Sequence, residues 1–597
     1  MRKKLIGAAG LLAAGILSFS GCGAQAVALP HDNQIHPEYN NAYVKELFYR
    51  NDLGTAAPDP CVIQITDPES TEYGYYYLYG TTDPNSGFRA YRNKDLTGEW
   101  EDVTPIKNFL AFEAQAGHYA YGKGAFWAPE VIYDGMEEKY YMFYSGMVEK
   151  FPSIGQEQHM IAVAVADEPY GPFQPVNATQ AGTLFDNDEM CELIEKDGLS
   201  SGVTPSGKKF FNCIDGSPYV APDGTKYLYF SHEAVVYGGK SEIYGVEMET
   251  WSKPDLSTLT RLTRCEYYTV DGEWQDAEGS EKPSYESGNG VNEGPYMYQK
   301  QQADGSWKYY LTFSINGYMD KSYSVVQAVG DTPLGPFRKL TEEEGGLLVS
   351  TDWEKFDHLS GTGHHSFVPV DNELYIVYHE HVNREMGGLG ERDVAVDKVV
   401  FTKNGKGDEV LYCNGPTWSL QPRISKYSGV ENVAPQAEVT VSQGKNAEAL
   451  CDGLLSMYTN NTFVKEFETE KTATITLNFA DYRELSAVMV YNSKTFEKSF
   501  LSVKRIELDC QDAEGAQGVA VIEDLAFDWD FYKMASVNAM RPGGSAVAVF
   551  RPLLCKQIRI TVEVPEERPE DLAIMDEDGY ILKQSAVAIS EIVVLGK

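Results

Sequence analysis

Positive charge is scarce in this chain: 50 Lys and Arg stand against 88 Asp and Glu, a formal net charge of −38 over 597 residues. A surface that acidic repels phosphate backbones, which argues against nucleic acid as a partner, while a neutral substrate remains compatible. Paired cysteines are missing too. None of the nine cysteines falls in a CxxC motif, so zinc and dithiol redox chemistry gain no support. The eight that follow Cys22 could pair in an exported protein, but no connectivity is readable, and most are expected as small buried apolar residues. Beyond the N-terminus there is no apolar run long enough to cross a bilayer.

The N-terminus itself reads as a processing segment. Arg2, Lys3 and Lys4 form a basic start, and Leu5 to Leu17 an apolar stretch too short to span as a mature helix. Phe19-Ser20-Gly21-Cys22 then resembles a bacterial lipoprotein signal, with Phe19 in place of the usual Leu. The expectation is a signal over 1–22, lipidation at Cys22 and a polar tether over 23–44. The protein would be anchored at the bacterial cell surface, with plain secretion as the alternative.

What the chain has in abundance is Tyr (39), Phe (26) and Gly (54), distributed over many short strand-like runs, which points to an all-β protein. A turn bearing an acid or histidine, followed by a Tyr-rich strand, recurs five times. It occurs at Asp59-Pro60, Ala128-Pro129-Glu130, Asp215-Gly216-Ser217-Pro218, Asn292-Glu293-Gly294-Pro295 and His364-His365-Ser366. Spacings of 71, 85, 78 and 71 residues suggest a radial repeat. Ala164 to Phe173 returns as Ala328 to Phe337, 164 residues later, as one corner in two blades would. The reading is a five-bladed β-propeller over 45–430. The rhythm stops near residue 430, and the alternating strands of 431–597 read as a separate β-sandwich.

A propeller points the start of each inner strand at a common axis. That brings Asp59, Glu130, Asp215, Glu293 and His364/His365 toward one pocket. Several carboxylates in one pocket suit glycoside hydrolysis, in which one activates water and another, its pKa raised by crowding, protonates the leaving oxygen. Any one of these turns alone would be structural; their order and residue types together carry the functional reading.

The set Ala57-Pro58-Asp59-Pro60, Trp127-Ala128-Pro129-Glu130, Asn292-Glu293-Gly294-Pro295 and Gly361-Thr362-Gly363-His364-His365-Ser366 resembles glycoside hydrolase family 43 over about residues 45–425. The resemblance implies a five-bladed propeller that cleaves arabinofuranosides, xylosides and related bonds with inversion. It implies Asp59 as general base, Glu293 as general acid and Glu130, where Asp is commoner, as the carboxylate that tunes and orients the acid. Asp215 is expected to serve its turn. His364 is the candidate for a calcium ion at the axis, the sole cofactor expected. Trp127, Trp100 and Trp353 are candidate sugar platforms. The C-terminal segment resembles discoidin-like sandwiches, with Tyr458 and Phe463 as candidate sugar contacts and a buttressing role as the alternative. Carbohydrate is thus the expected partner, the membrane being reached only through the anchor. Pentose release from plant polysaccharide leads; endo-arabinanase action, a galactan-directed relative and a non-catalytic sugar-binding propeller are the alternatives.

Overall fold

The computed structural model describes residues 25–26, 42–51, 53–84, 87–104, 125–151, 156–176, 182–265, 268–270, 273–275, 285–286, 290–350, 360–381, 392–417, 419–456, 463–495, 498–511, 515–527, 532–534, 537–539, 544–565 and 585–597. Cys22, Trp353 and Tyr458 lie outside the described residues.

Five antiparallel sheets follow one another, each strand pairing with the next in sequence. Their innermost strands are Cys61–Gln64, Trp127–Asp134, Cys213–Val220, Asn292–Gln301 and Ser360–Val370. Each of these touches its counterpart in the neighbouring blades, and the fifth touches the first, which closes a five-bladed propeller. The Tyr-rich runs are the second strands. Tyr76–Tyr79 is buried at every position, because each sheet is covered on both faces by its neighbours.

Tyr suits such a strand, since its ring fills the inter-blade core while its hydroxyl can still find a partner. The Tyr79 hydroxyl donates to the Pro169 carbonyl (2.5 Å) and the Tyr229 hydroxyl to the Pro333 carbonyl (3.0 Å). Those prolines lie in the two copies of the repeated ten-residue corner, and Phe173 and Phe337 from the same corners are both buried. The duplicated segment is therefore one device used twice: a corner in blades 2 and 4 clasped by a tyrosine of the preceding blade.

The ring is shut by the two ends of the propeller segment. Phe48–Tyr49 pairs with Gln421–Pro422. Asn51 bonds the Asp397 carboxylate (3.1 Å), the Thr417 carbonyl (2.9 Å) and the Val396 amide (2.8 Å), all on the blade 5 side.

From Glu431 onward the strands belong to a second body, a β-sandwich. Strands Ala473–Asn492 and Ser545–Val562 pair along their length with breaks in register, and Ala473–Phe479 alternates buried and half-buried as a strand with one core face should. Its outer layer, with Met489, Tyr491, Val547, Val593 and Leu595, meets Leu47, Phe48 and Leu420 of the propeller in one apolar cluster. Phe463, expected to contact sugar, instead lies edge-on to Tyr412 of blade 5 (6.1 Å between centroids) and against Gly345 of blade 4. The contact between the two bodies is a continuation of their cores.

Candidate active site

Five residues with positive φ mark the axis: Asp59 (55°), Ala128 (45°), Asp215 (60°), Gly294 (55°) and His364 (43°), one per blade. Four of the five are not glycine, and such a backbone costs of order 1–3 kcal/mol and persists only where its surroundings impose it. In blades 2 to 5 each sits at a break in strand register, a bulge that re-aims the neighbouring side chain.

A polar side chain near the end of each second strand latches the next corner. Thr81 Oγ1 accepts from the Ala128 amide (2.8 Å), Ser145 Oγ from the Asp215 amide (3.0 Å) and Ser314 Oγ from the His364 amide (2.8 Å). Ser231 Oγ donates to the Asn292 carbonyl (3.0 Å), and His379 Nδ1 accepts from the Asp59 amide (3.1 Å), completing the ring.

Asp59 is buried, and burial alone would raise its pKa. Four neighbours together outweigh this: chiefly the Arg392 guanidinium, bonding Oδ1 at 2.8 Å, then His364 (3.7 Å), His379 (3.5 Å) and the Thr81 hydroxyl on Oδ2 (2.7 Å). The carboxyl is held well below the usual range and stays ionised.

Glu293 has the opposite environment. Burial pushes its carboxyl up to about 8; the Tyr323 hydroxyl, 2.8 Å from Oε1, pulls it down, and the charges of Glu233 and Asp59 push it further up. The Tyr323 ring is itself fixed, stacked on His379 (5.6 Å) and lying where a Cβ on Gly363 would come within 2.2 Å.

Two more carboxyls share the cluster. Asp215 is raised to about 7 by burial and by the charges of Glu293 and Asp59, against the pull of His364, and its Oδ2 accepts the Gly294 amide (2.9 Å), one residue beyond Glu293. Glu233 is raised to about 8 by burial and by Asp215, and lies 3.9 Å from His159 Nδ1. Trp127 stacks on that histidine (4.1 Å, 27°) and is half-buried, so the structure brings it to the cluster's rim.

Other expected residues land elsewhere. Glu130 lies two residues past the corner Ala128, where the strand register resumes. Burial chiefly, with the charge of Asp215 adding, raises its carboxyl to about 8. The corner carboxylate that bonds the backbone beside the acid is Asp215, which was expected only to serve its turn. Trp100 packs into the apolar cluster between blades 5 and 1. His365 is turned away, its Nε2 bonded to Thr312 Oγ1 at 2.7 Å, whereas His364 faces Asp59. A calcium ion takes six to eight oxygens, so one at His364 would have to draw most of them from water. Asp59 Oδ1 already holds Arg392, and among the described residues no group of three or more His, Cys, Asp or Glu side chains could hold a metal.

A chain with this ring of carboxylates matches one family model, that of glycosyl hydrolases family 43, over residues 55–191 and 202–406, more than half its length. The chain belongs to glycoside hydrolase family 43. Among curated proteins, this family 43 hydrolase is 31% identical over 353 residues to the β-D-galactofuranosidase xynD of Aspergillus niger, covering 57% of this chain and 80% of that one. Among solved structures it is similar to a thermostable family-43 glycoside hydrolase (28% identity, 63% of this chain and 98% of that one, TM-score 0.47). It is similar also to an endo-1,4-β-xylanase from Bacteroides thetaiotaomicron (25% identity, 62% and 97%, TM-score 0.42).

Several groups of the family 43 site escape a reading of inner-strand motifs: Thr81, Glu233, Tyr323, His379 and Arg392. They stand at or just beyond the ends of second strands, or at the starts of third ones. Thr81, Ser145, Ser231, Ser314 and His379 nevertheless form a series of their own, and aligning the second strands as well as the first would have drawn attention to Glu233, two residues past Ser231.

Proposed function

We propose that this glycosidase acts with inversion, Asp59 drawing the proton from water while Glu293 protonates the departing oxygen. The observation that carries this is the divergence of two carboxyls in one buried cluster at the axis: Asp59 held ionised by Arg392 and its neighbours, Glu293 held protonated near neutral pH by burial. An ionised carboxylate can accept a proton from water, and a protonated one can give it to a poor leaving group. Asp215, through its bond to the Gly294 amide, orients Glu293, while the charges of Glu233 and Asp59 add to the burial that keeps it protonated. Orienting the acid is the role first sought at Glu130.

The glycone we favour is a pentose, α-L-arabinofuranose or β-D-xylose, released from plant polysaccharide or its fragments. A second glycone, β-D-galactofuranose, is favoured by the Aspergillus relative, and its ring carries the configuration of α-L-arabinofuranose. The test is a panel of aryl α-L-arabinofuranoside, β-D-xyloside and β-D-galactofuranoside. Turnover of a pentoside above the others supports the first reading, preference for the galactofuranoside the second, and no turnover of any supports a binding-only propeller. We also propose export with a lipid anchor at Cys22. Cys22→Ser should move the protein from the membrane to the soluble fraction, and unchanged membrane association would refute the anchor.

A further inference from the structure

Glu293 is preceded by a residue whose every polar group is tied down. The Asn292 amide donates to the Ser241 carbonyl (2.9 Å) and its carbonyl accepts from Ser231 Oγ (3.0 Å). Its side-chain Nδ2 donates to the Val291 carbonyl (2.9 Å), and Oδ1 accepts from the ammonium of Lys339 (3.1 Å). Asn292 is 0% exposed and Lys339, on the outermost strand Arg338–Lys339 of blade 4, 1%. The other two protons of that ammonium go to Glu286 Oε1 (2.5 Å) and the Arg264 carbonyl (2.8 Å). A lysine has three N–H donors, and all three are used.

A buried ion pair is poor value as a source of stability, because desolvating two charges offsets most of their attraction; an apolar pair would serve as well. What Lys339 and Glu286 supply that Leu and Met could not is direction. The ammonium, held from two other sides, fixes the Asn292 amide. Together with the two backbone bonds this fixes the Cα position from which Glu293 projects. Beyond Glu293 the Gly294 amide is held by Asp215, and the carboxyl tip by Tyr323. Removing Lys339 leaves that flank of the acid with its backbone bonds but without its side-chain tether.

We propose that Lys339, paired with Glu286, is a positioning residue for the proton-donating carboxyl of Glu293 and acts through Asn292. The proposal rests on Glu293 being the general acid. Misplacing an acid matters in proportion to how much the leaving group needs its proton. A residue that merely supports the fold lowers turnover of every substrate alike.

The test compares methyl and 2,4-dinitrophenyl glycosides of the sugar selected by the substrate panel. Lys339→Met/Glu286→Gln removes both charges without leaving one unpaired, and Asn292→Ala breaks the link while keeping the ion pair. In variants that stay folded by circular dichroism, kcat on the methyl glycoside should fall at least 10-fold and kcat on the dinitrophenyl glycoside less than 3-fold. Equal loss on both substrates, or no loss on either, overturns the proposal. Should the double variant not fold, Asn292→Ala decides by the same criteria. Glu293→Gln run alongside separates the two levels. If it discriminates between the leaving groups and the other variants do not, the positioning role is wrong. If it fails to discriminate, the acid assignment is wrong and the positioning role falls with it.

Discussion

Replacing Arg392 with Met should displace the whole pH–rate profile toward higher pH. The guanidinium lies 2.8 Å from Asp59 Oδ1, and both side chains are largely shielded from water. Two unit charges about 4 Å apart at an effective dielectric constant of about 20 attract by about 4 kcal/mol. His364 and Thr81 remain in the variant and water replaces part of the lost contact, so about 3 kcal/mol is a fair expectation, or roughly two pH units in the acid limb of kcat/KM. Arg392 also lowers the pKa of Glu293, so the alkaline limb should rise too, by less because the contact is less direct. The assay is kcat/KM on an activated aryl glycoside from about pH 3 to 10; the parent's acid limb lies below that range and the variant's should enter its acid end. Activity that falls evenly at every pH with no acid limb entering the range would mean that Arg392 does not hold Asp59 ionised.

Gly363→Ala would place a Cβ within 2.2 Å of the Tyr323 ring, so Tyr323 must shift away from Glu293; kcat should fall about 10-fold or more, with a lower Tm in thermal denaturation. Glu130→Gln should retain activity within about 3-fold while Asp215→Asn loses at least about 100-fold; the reverse order would restore Glu130 to the tuning role. Burial lifts the Glu130 carboxyl to about 8, above its unfolded value, so the stability tied to its bound proton is full at acid pH and is lost as pH rises toward about 8. Glutamine cannot ionise, so the drop in Tm between pH 5 and 8 should be smaller in Glu130→Gln than in the parent, and an equal drop would refute the buried protonated state. Truncation after residue 430 should give insoluble protein, because Leu47, Phe48 and Leu420 lose their apolar cover; a soluble, fully active propeller would show that the sandwich does not buttress it.

The propeller could be read from the chain because each blade repeats a turn and a doubly buried Tyr strand, and burial on two faces leaves a plain apolar signature. Asp59 and Glu293 were legible for the same reason, lying at or beside inner-strand corners. For the third carboxylate the motif and the backbone point to different residues. Matching the acids next to proline puts Glu130 level with Asp59, whereas the backbone puts Ala128 there, because the register is set by positive-φ bulges that have no residue signature of their own. Asp215 then takes the equivalent corner in blade 3. Arg392 and Tyr323 come from other strands, at distances along the chain that only the closed ring brings together. Phe463 shows the same limit: an exposed-looking aromatic in sequence is an inter-domain plug in the fold.

The most direct test of the division between base and acid is to follow Asp59→Asn and Glu293→Gln on two leaving groups while monitoring the anomeric proton of the product made by the parent enzyme. Glu293→Gln should cripple hydrolysis of a natural sugar linkage yet keep much of the activity on an aryl glycoside with an acidic phenol. Asp59→Asn should abolish both, and proton NMR early in the reaction should show the inverted sugar. Retained configuration, or equal loss on both leaving groups in Glu293→Gln, would contradict the assignment.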